Sequence, residues 1–252
     1  MKEQYKGFLN GNMLKIAAAV FMLADHIGAV FGPSLISDEC WVVLRCIGRL
    51  SMPIFAFLIS EGCRYTRDRK KYFLFMFLLG AVCDAAFYIA MQSVYFCILT
   101  TFSLSVLLIY TYDEFLNQIK SEEKTFKKIT GAAYAAVKFL LIIALCLFLL
   151  DLCERYDGVF DYRMPGIMLP LLCYIFKNRW LRLILFTAGI AWSVFTYPYA
   201  TQIPYFAFLA VPIVALYNGE RGKLNLKYFF YLFYPVHLLL LEGIYMLIML
   251  LR

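Results

Sequence analysis

Two histidines and one neighbouring acid lie inside long apolar segments of this sequence. The chain has only two histidines, His26 and His237, and Asp25 directly precedes the first of them. An imidazole changes its charge near neutral pH, which suits it to proton transfer. Because an ionisable group inside a membrane-spanning segment costs free energy, it marks a candidate functional site. These three residues are therefore the first candidates for chemistry.

The next apolar segment contains two arginines, and one of them is the expected partner of this acid. Arg45 and Arg49 are four residues apart and would share one face of a helix. Asp25 and His26 project about 100° apart on a helix, because each turn contains 3.6 residues. We therefore expect one of the two to face a cavity while the other pairs with a neighbouring helix, with Arg49 as the partner. The structural alternative is a polar network in which Arg49 only neutralises Asp25 or Asp84.

Other charged residues allow more than one interpretation. Asp84 and Glu242 lie within apolar segments, where exposure to lipid would be costly for both. A basic segment that contains Arg67, Lys70 and Lys71 follows the second apolar segment. This segment either sets the topology and meets anionic lipid head groups, or it receives the phosphates of a nucleotide-like donor. The sequence has no phosphate-binding glycine loop that ends in Gly-Lys-Ser/Thr, so we do not expect ATP hydrolysis by this chain.

The composition is that of a membrane protein. Of the 252 residues, 63% are hydrophobic and 16% are charged, whereas soluble domains are about 45–50% apolar and about 25% charged. The excess is concentrated in runs of roughly 15–22 residues, the length that a spanning helix needs. We predict an all-α, polytopic transmembrane bundle, with 1–252 as a single integral-membrane domain and the lipid bilayer as its partner. The net charge of +7 does not indicate nucleic acid, and eight cysteines without a C-x-x-C pair predict no metal site.

The apolar runs predict about nine spanning helices. They lie at about 13–31, 40–61, 72–91, 95–112, 131–150, 165–176, 183–197, 203–217 and 228–251. Lys and Arg are concentrated in the N-terminal lead and after the second, fourth, sixth and eighth helices, which predicts a cytoplasmic N-terminus in the inner (cytoplasmic) membrane. We expect Pro53 to kink the second helix and Glu61, at its end, to form a surface ion pair. The longest loop is expected at 113–130.

Four short motifs resemble those of the TraX family. They are Asp-His-Ile-Gly at 25–28, the Arg-x-x-Gly-Arg-x-x-x-Pro-Ile-Phe block at 45–55, Glu-Gly with Tyr-Thr-Arg at 61–67, and Tyr-Pro-x-His-Leu at 234–238. The named member of that family is associated with N-terminal acetylation of conjugative pilin, and the family looks related to polytopic membrane acyltransferases. The resemblance implies acetyl-CoA-dependent acetylation of a peptide or envelope acceptor at the membrane. Nothing in the sequence identifies pilin as that acceptor.

The resemblance, together with the chemistry of acyl transfer, implies roles for individual residues. Acetyl transfer to an amine needs a base for the proton and a donor or positive group for the oxyanion. His26 would be the base, Asp25 would orient it or its surroundings, and Arg49 and His237 would stabilise the oxyanion or orient the acceptor. The residues expected to bind substrate or CoA are Arg45, Arg67, Lys70, Lys71, Asp84, Tyr234 and Glu242.

Two other classes of function fit the same residues. A small-solute or proton-coupled transporter would use Asp25, His26, Asp84 and Glu242 as a relay, although transporters often show related halves and no repeat is evident here. A non-enzymatic assembly factor is the third class. The enzyme hypothesis predicts that Asp25, His26, Arg49 and His237 converge on one cavity that opens toward the basic loops. A large separation of the two histidines on lipid-facing sides would overturn this assignment of the site.

Overall fold

The computed structural model describes residues 7–121, 125–196, 201–224 and 227–252, and most of them are helical. The helices are α1 (Gly11–Leu35), α2 (Asp38–Gly48), α3 (Ser51–Tyr65), α4 (Arg69–Met91), α5 (Ile98–Lys120), α6 (Thr125–Arg155), α7 (Arg163–Ile175), α8 (Arg179–Thr196), α9 (Ala210–Ala215) and α10 (Lys227–Leu250). A 3₁₀ segment, Ile203–Leu209, precedes α9. Two short parallel strands, β1 (Tyr95–Phe96) and β2 (Val159–Phe160), pair with each other. The predicted helical fold is confirmed.

Within the part of the chain that the structure describes, five helical segments are long and apolar enough to cross a membrane, which makes this a multi-pass membrane protein. They are Gly11–Gly32, Asp38–Tyr65, Arg69–Ala90, Thr125–Arg155 and Leu232–Leu250. Two shorter apolar segments, Arg163–Ile175 and Ile203–Ala215, coincide with the predicted sixth and eighth helices. Each of the nine predicted helices therefore corresponds to helical structure, and the number of crossings stays a prediction.

The predicted second helix is divided into two helices close to Pro53, where a kink was expected. The helix α2 ends at Gly48 and α3 begins at Ser51, so that Pro53 lies in the first turn of α3. Proline has no N–H, and its ring collides with the carbonyl four residues earlier, here that of Arg49. The break therefore falls where the proline disfavours a continuous helix, directly after Arg49.

The prediction of a long loop at 113–130 is wrong. The helix α5 continues to Lys120, and α6 begins at Thr125. The acid at the start of the expected loop, Asp113, has partners on other helices. Asp113 accepts hydrogen bonds from Arg69 at 2.5 Å and from the Tyr174 hydroxyl at 2.6 Å. Because the charge of Asp113 is paired, α5 can continue as a helix beyond the apolar run that precedes this residue.

The chain forms two compact units. The first contains the residues up to Leu58 and those from Lys177 onward, and the second is Ile59–Phe176. The second unit is built around α5, whose hydroxyl groups donate hydrogen bonds to backbone carbonyls of other segments of the same unit. Thr101 donates to the Asp161 carbonyl at 2.9 Å, and Ser105 donates to the Ile167 carbonyl at 2.7 Å. A helix enclosed by protein tolerates such polar side chains. The single integral-membrane domain stays a prediction.

In the first unit, residues 7–12 form a strap that is hydrogen-bonded to residues 216–224. Leu9 N–H donates to the Leu216 carbonyl at 3.0 Å and Gly11 N–H to the Glu220 carbonyl at 2.7 Å. The Asn12 side chain donates to the Leu224 carbonyl at 2.8 Å. The strap therefore ties the start of α1 to the residues just before α10. Since α1 and α10 also touch further along, they run side by side in the same direction.

Candidate functional site

Asp25 of α1 is held by two arginines. The Arg49 Nη2 atom donates to both carboxylate oxygens, at 2.6 and 2.7 Å. The Arg45 Nη1 atom lies 3.0 Å from Asp25 Oδ2 and also donates to the Asp25 carbonyl at 3.2 Å. The expected pairing of Asp25 with Arg49 is confirmed. With two guanidiniums and one carboxylate, the cluster keeps one net positive charge.

A glycine of the first motif allows this contact. A Cβ atom on Gly28 would lie 3.1 Å from Arg45 Cδ, closer than side chains normally approach. The absence of a side chain on Gly28 lets the Arg45 stem lie against α1 and reach back to Asp25. The Asp-His-Ile-Gly motif thus contains an acid, an imidazole and the small residue that admits the partner of the acid.

The two histidines of the chain contact each other. His26 Nδ1 lies 2.6 Å from His237 Nε2, and the ring centroids are 4.8 Å apart with an interplanar angle of 26°. His237 Nδ1 lies 2.6 Å from the carbonyl oxygen of Phe233, one turn earlier on α10. The Phe233 ring stacks on His237 at 4.7 Å, and buried Tyr234 meets it edge-on at 6.0 Å. The His237 ring is therefore fixed on several sides.

The Phe233 carbonyl determines which ring nitrogens carry protons when both rings are neutral. A carbonyl only accepts, so His237 Nδ1 carries the hydrogen and His237 Nε2 is an acceptor. His26 Nδ1 must then donate to His237 Nε2, which leaves the lone pair of His26 on Nε2. Among the residues that the structure describes, His26 Nε2 has no hydrogen-bond partner. This nitrogen is in the state that a general base requires.

The four residues predicted as catalytic are thus brought together. Asp25 and His26 are consecutive on α1, Arg49 bonds to the first and His237 to the second. These contacts agree with the enzyme hypothesis, whereas convergence on one cavity stays a prediction. Their catalytic role, and the opening of the site toward the basic loops, stay predictions.

The remaining predicted binding residues lie elsewhere. Arg67, Lys70 and Lys71 are exposed at the start of α4 in the second unit, where Lys71 lies 3.9 Å from Asp68. Glu242 is exposed on α10. No contact of these residues indicates a ligand, and their binding roles stay predictions.

Asp84 and Glu61 have structural contacts in the second unit. Asp84 accepts from the Cys97 N–H at 2.8 Å and from the Thr100 hydroxyl at 2.5 Å, so it caps the start of α5. Glu61 is buried and lies 3.7 Å from Arg64, so its expected place at the surface is wrong. Arg64 in turn donates to the Tyr174 carbonyl at 2.5 Å near the end of α7. The motif at 61–67 therefore joins helices of this unit.

Sequence reasoning missed a second pair of arginines, Arg179 and Arg182, on the first turn of α8. Arg182 is buried, and its guanidinium lies 4.8 Å from the centroid of the Phe57 ring. In the sequence these residues looked like the basic flank of an apolar run. The three-residue spacing, which places both on one helix face, was the available signal.

The fold and the site define a multi-pass helical membrane protein whose polar cluster is built by α1, the end of α2 and α10. The family model described as TraX protein matches residues 10–245, so the chain belongs to the TraX family. A stretch of 71 residues is 32% identical to a Dichelobacter nodosus protein described as "Probable fimbrial assembly protein FimC, serogroup H1". That stretch covers 27% of this chain and 28% of the relative. No solved structure matches the chain significantly.

Proposed function

We propose that this protein is a membrane acyltransferase that moves an acetyl group from acetyl-CoA to an amine or hydroxyl acceptor. The observation that supports the proposal is the His26–His237 contact, because it leaves the lone pair of His26 on Nε2. A base in this state, beside a cluster with one net positive charge, is the combination that acyl transfer needs. Membership of the TraX family supports the same chemistry.

In the proposed reaction, each proton transfer has a defined donor and acceptor. The acceptor nitrogen or oxygen attacks the thioester carbonyl carbon while His26 Nε2 takes the acceptor proton. The carbon–sulfur bond then breaks, and the CoA sulfur leaves with the proton returned by His26. The products are the acetylated acceptor and CoA with a free thiol, so no oxidant or reductant is required.

In this scheme His237 positions the base. Both of its nitrogens face protein groups, Nε2 toward His26 and Nδ1 toward the Phe233 carbonyl. This geometry favours a role in holding the His26 tautomer over the direct oxyanion role first expected. When His26 becomes an imidazolium, its Nδ1–H continues to donate to His237 Nε2, which stabilises the charged ring.

The arginine cluster is assigned to the negative charge that develops on the thioester oxygen. Arg45 and Arg49 share one carboxylate and keep a net positive charge next to His26. Because Asp25 holds both guanidiniums in place, the positive charge is oriented before the reaction begins, which is the condition for effective electrostatic stabilisation.

We also propose in which membrane, and from which side, the reaction takes place. Nine crossings with the N-terminus in the cytoplasm would place the Lys- and Arg-rich loops on the side where acetyl-CoA is available. The inner membrane is the membrane proposed. The relative described as a fimbrial assembly protein supports a pilus-related role, with a peptide or envelope component as acceptor.

The test is release of free CoA thiol from acetyl-CoA by purified protein, with envelope extract as the source of acceptor. We expect His26→Gln to lower the rate by about 10²- to 10⁴-fold, the usual contribution of general base catalysis. Lys127→Gln, at an exposed position on α6, is the control and should keep the wild-type rate. A wild-type protein that releases no thiol, or a His26→Gln variant with unchanged rate, contradicts the proposal.

A further inference from the structure

Glu242 is an exposed carboxyl group in a membrane-spanning segment. It lies close to the middle of the 19-residue segment Leu232–Leu250 on α10. With the residues that the structure describes, its side chain forms no hydrogen bond and no ion pair. Because exposure of an ionisable group to lipid is costly, a residue of this kind marks a functional contact. The acyl-transfer scheme gives Glu242 no part in the reaction.

Two other acids inside spanning segments are satisfied by neighbouring protein groups. Asp25 is held by two arginines, and Asp84 accepts hydrogen bonds at the start of α5. The described part of the chain offers Glu242 no such group. A side chain that faces outward from α10 can instead meet a second molecule in the membrane.

The helix α10, which packs mainly against α1, has two distinct faces. The buried residues Tyr234, His237 and Leu241 share one face, and His237 contacts His26 of α1. The opposite face has residues spaced alternately by three and four, the a and d positions of a heptad. This face, the α10 seam, consists of Leu232, Pro235, Leu239, Glu242, Met246 and Met249. Apart from Pro235, its apolar members are 49–71% exposed.

The α10 seam has the pattern of a helix–helix interface. An apolar seam with heptad spacing is the surface along which two helices pack side by side, in membranes as well as in water. A single polar residue in such a seam fixes the register and the number of associated helices, at some cost in stability. Glu242 is the polar member of the α10 seam and has apolar members on both sides along the helix. A face that met only lipid tails would leave this carboxyl group without a partner.

We propose that two copies of this protein pair through their α10 seams, with the two Glu242 carboxyl groups hydrogen-bonded to each other. Copies of one membrane protein are inserted with the same orientation, so the two α10 helices are parallel and equal residues lie at equal depth. A protonated carboxyl group donates through its O–H and an ionised one accepts, so one shared proton satisfies both side chains. A bond of this kind, O–H···O⁻, is strong because it is charge-assisted.

The pairing leaves the site inside each copy intact. Since the α10 seam lies on the far side of the helix from His237, the His26–His237 contact of each copy stays outside the interface. The inference goes beyond the proposed acyl transfer and does not depend on it. A spanning helix of a different protein, with a basic residue opposite Glu242, is the alternative that the experiment excludes.

The test is the number of copies per particle, counted by single-molecule photobleaching of the labelled full-length protein in liposomes at increasing dilution with lipid. We expect the wild-type protein to be dimeric at high density and to dissociate on dilution. Glu242→Leu keeps the seam apolar and should weaken the dimer by about 3- to 20-fold, the range for one interhelical hydrogen bond in a membrane. Glu242→Gln, whose amide both donates and accepts, should stay within about threefold of the wild type.

Two adjacent leucines provide a matched control. Leu239 belongs to the α10 seam and is 71% exposed, whereas Leu240 lies beside the seam and is 60% exposed. Leu239→Ala should weaken the dimer, and Leu240→Ala should leave its affinity within about twofold. Both substitutions remove the same atoms from exposed positions, so a difference between them reports on the interface and not on the fold of the monomer.

Cross-linking in native membranes tests the register. The exposed Cys40 is first changed by Cys40→Ser, which removes a competing thiol. In that background, Met246→Cys should form a disulfide-linked dimer on oxidation with copper phenanthroline, because the two copies of residue 246 face each other. Leu247→Cys, which is exposed but lies outside the seam, should stay monomeric.

Several results would overturn the proposal. A wild-type protein that is monomeric at every dilution leaves Glu242 to a different partner and refutes the pairing of two copies. A dimer that neither Glu242→Leu nor Leu239→Ala weakens, or that cross-links at residue 247 but not at 246, uses another surface. Equal losses in Glu242→Gln and Glu242→Leu refute the bond between the two carboxyl groups. None of these measurements involves acetyl-CoA, so their outcome is separate from that of the thiol-release test.

Discussion

Gly48 and Asp25 approach each other so closely that a Cβ atom on Gly48 would lie 2.3 Å from the Cβ of Asp25. Gly48 is the last residue of α2, directly before Arg49. The close approach brings the backbone of α2 against the acid, so Arg45 and Arg49 can both reach the carboxylate. Glycine at this position is therefore a requirement of the ion cluster.

Replacing this glycine should disrupt the cluster. We expect Gly48→Ala to lower the free energy of unfolding by about 1–3 kcal/mol, because the new methyl group forces α1 and α2 apart. Gly243→Ala on α10 is the matched control, since a Cβ there would meet nothing within 4 Å. The control should be neutral or stabilising by up to about 1 kcal/mol. Thermal unfolding in detergent measures both, and equal effects would contradict this account.

Removing the acid should be more harmful than removing one of its partners. Asp25→Asn leaves two neighbouring guanidiniums without the carboxylate between them, which we expect to cost about 3 kcal/mol of unfolding free energy. Arg45→Gln should cost less, because Arg49 still neutralises Asp25. The double variant should recover part of the stability lost in Asp25→Asn. Unfolding midpoints in detergent give this order, and additive losses would show that the cluster does not act as a unit.

Variants of His237 can separate a positioning role from contact with substrate. In His237→Gln, the new amide oxygen can still accept from His26 Nδ1–H, so kcat should fall by about tenfold or less. In His237→Leu no acceptor remains, and kcat should fall by about 10²-fold, the lower range for base catalysis. The KM for acetyl-CoA should stay unchanged in both. A raised KM with normal kcat would instead indicate that His237 binds substrate.

Asp84 offers a test between capping and substrate binding. We expect Asp84→Ala to destabilise the protein by about 1–2 kcal/mol, because the first turn of α5 loses its acceptor. Asp84→Asn keeps one oxygen and should cost less. If the role is structural, the folded fraction of both variants should keep the wild-type kcat and KM for acetyl-CoA. A changed KM in a fully folded Asp84→Asn protein would restore the predicted substrate role.

The local part of the site could be predicted from residue types and spacing, whereas the long-range part came only from the family resemblance. A carboxylate in an apolar segment needs a partner, and simple electrostatics selects Arg49 in the nearest segment, whereas the second contact, from Arg45, is seen only in the structure. The His26–His237 contact joins residues 211 positions apart. Apolar periodicity shows that each helix is buried in membrane or protein, but it does not say which helices are neighbours.

Other differences have equally specific causes. Pro53 correctly marked a disturbance in the second helix, but a steric conflict at one carbonyl does not reveal whether the helix bends or stops. Asp113 looked like the start of a loop because its partners, Arg69 and Tyr174, lie far away in the sequence. Arg182 looked like a topology signal because a buried and an interfacial arginine are identical as letters.

The strap at residues 7–12 also has a consequence for how the protein is made. Its partners lie between Leu216 and Leu224, and the helix that carries His237 follows them. A ribosome therefore releases α1 long before the segments that complete the first unit, and the whole second unit is synthesised in between. Asp25 can pair with Arg45 and Arg49 early in synthesis, whereas His26 can contact His237 only after nearly the entire chain has been made. A prematurely terminated product would contain Asp25 and its two arginines but would lack the His26–His237 contact. Cellular quality control would then recognise it as an incompletely folded membrane protein.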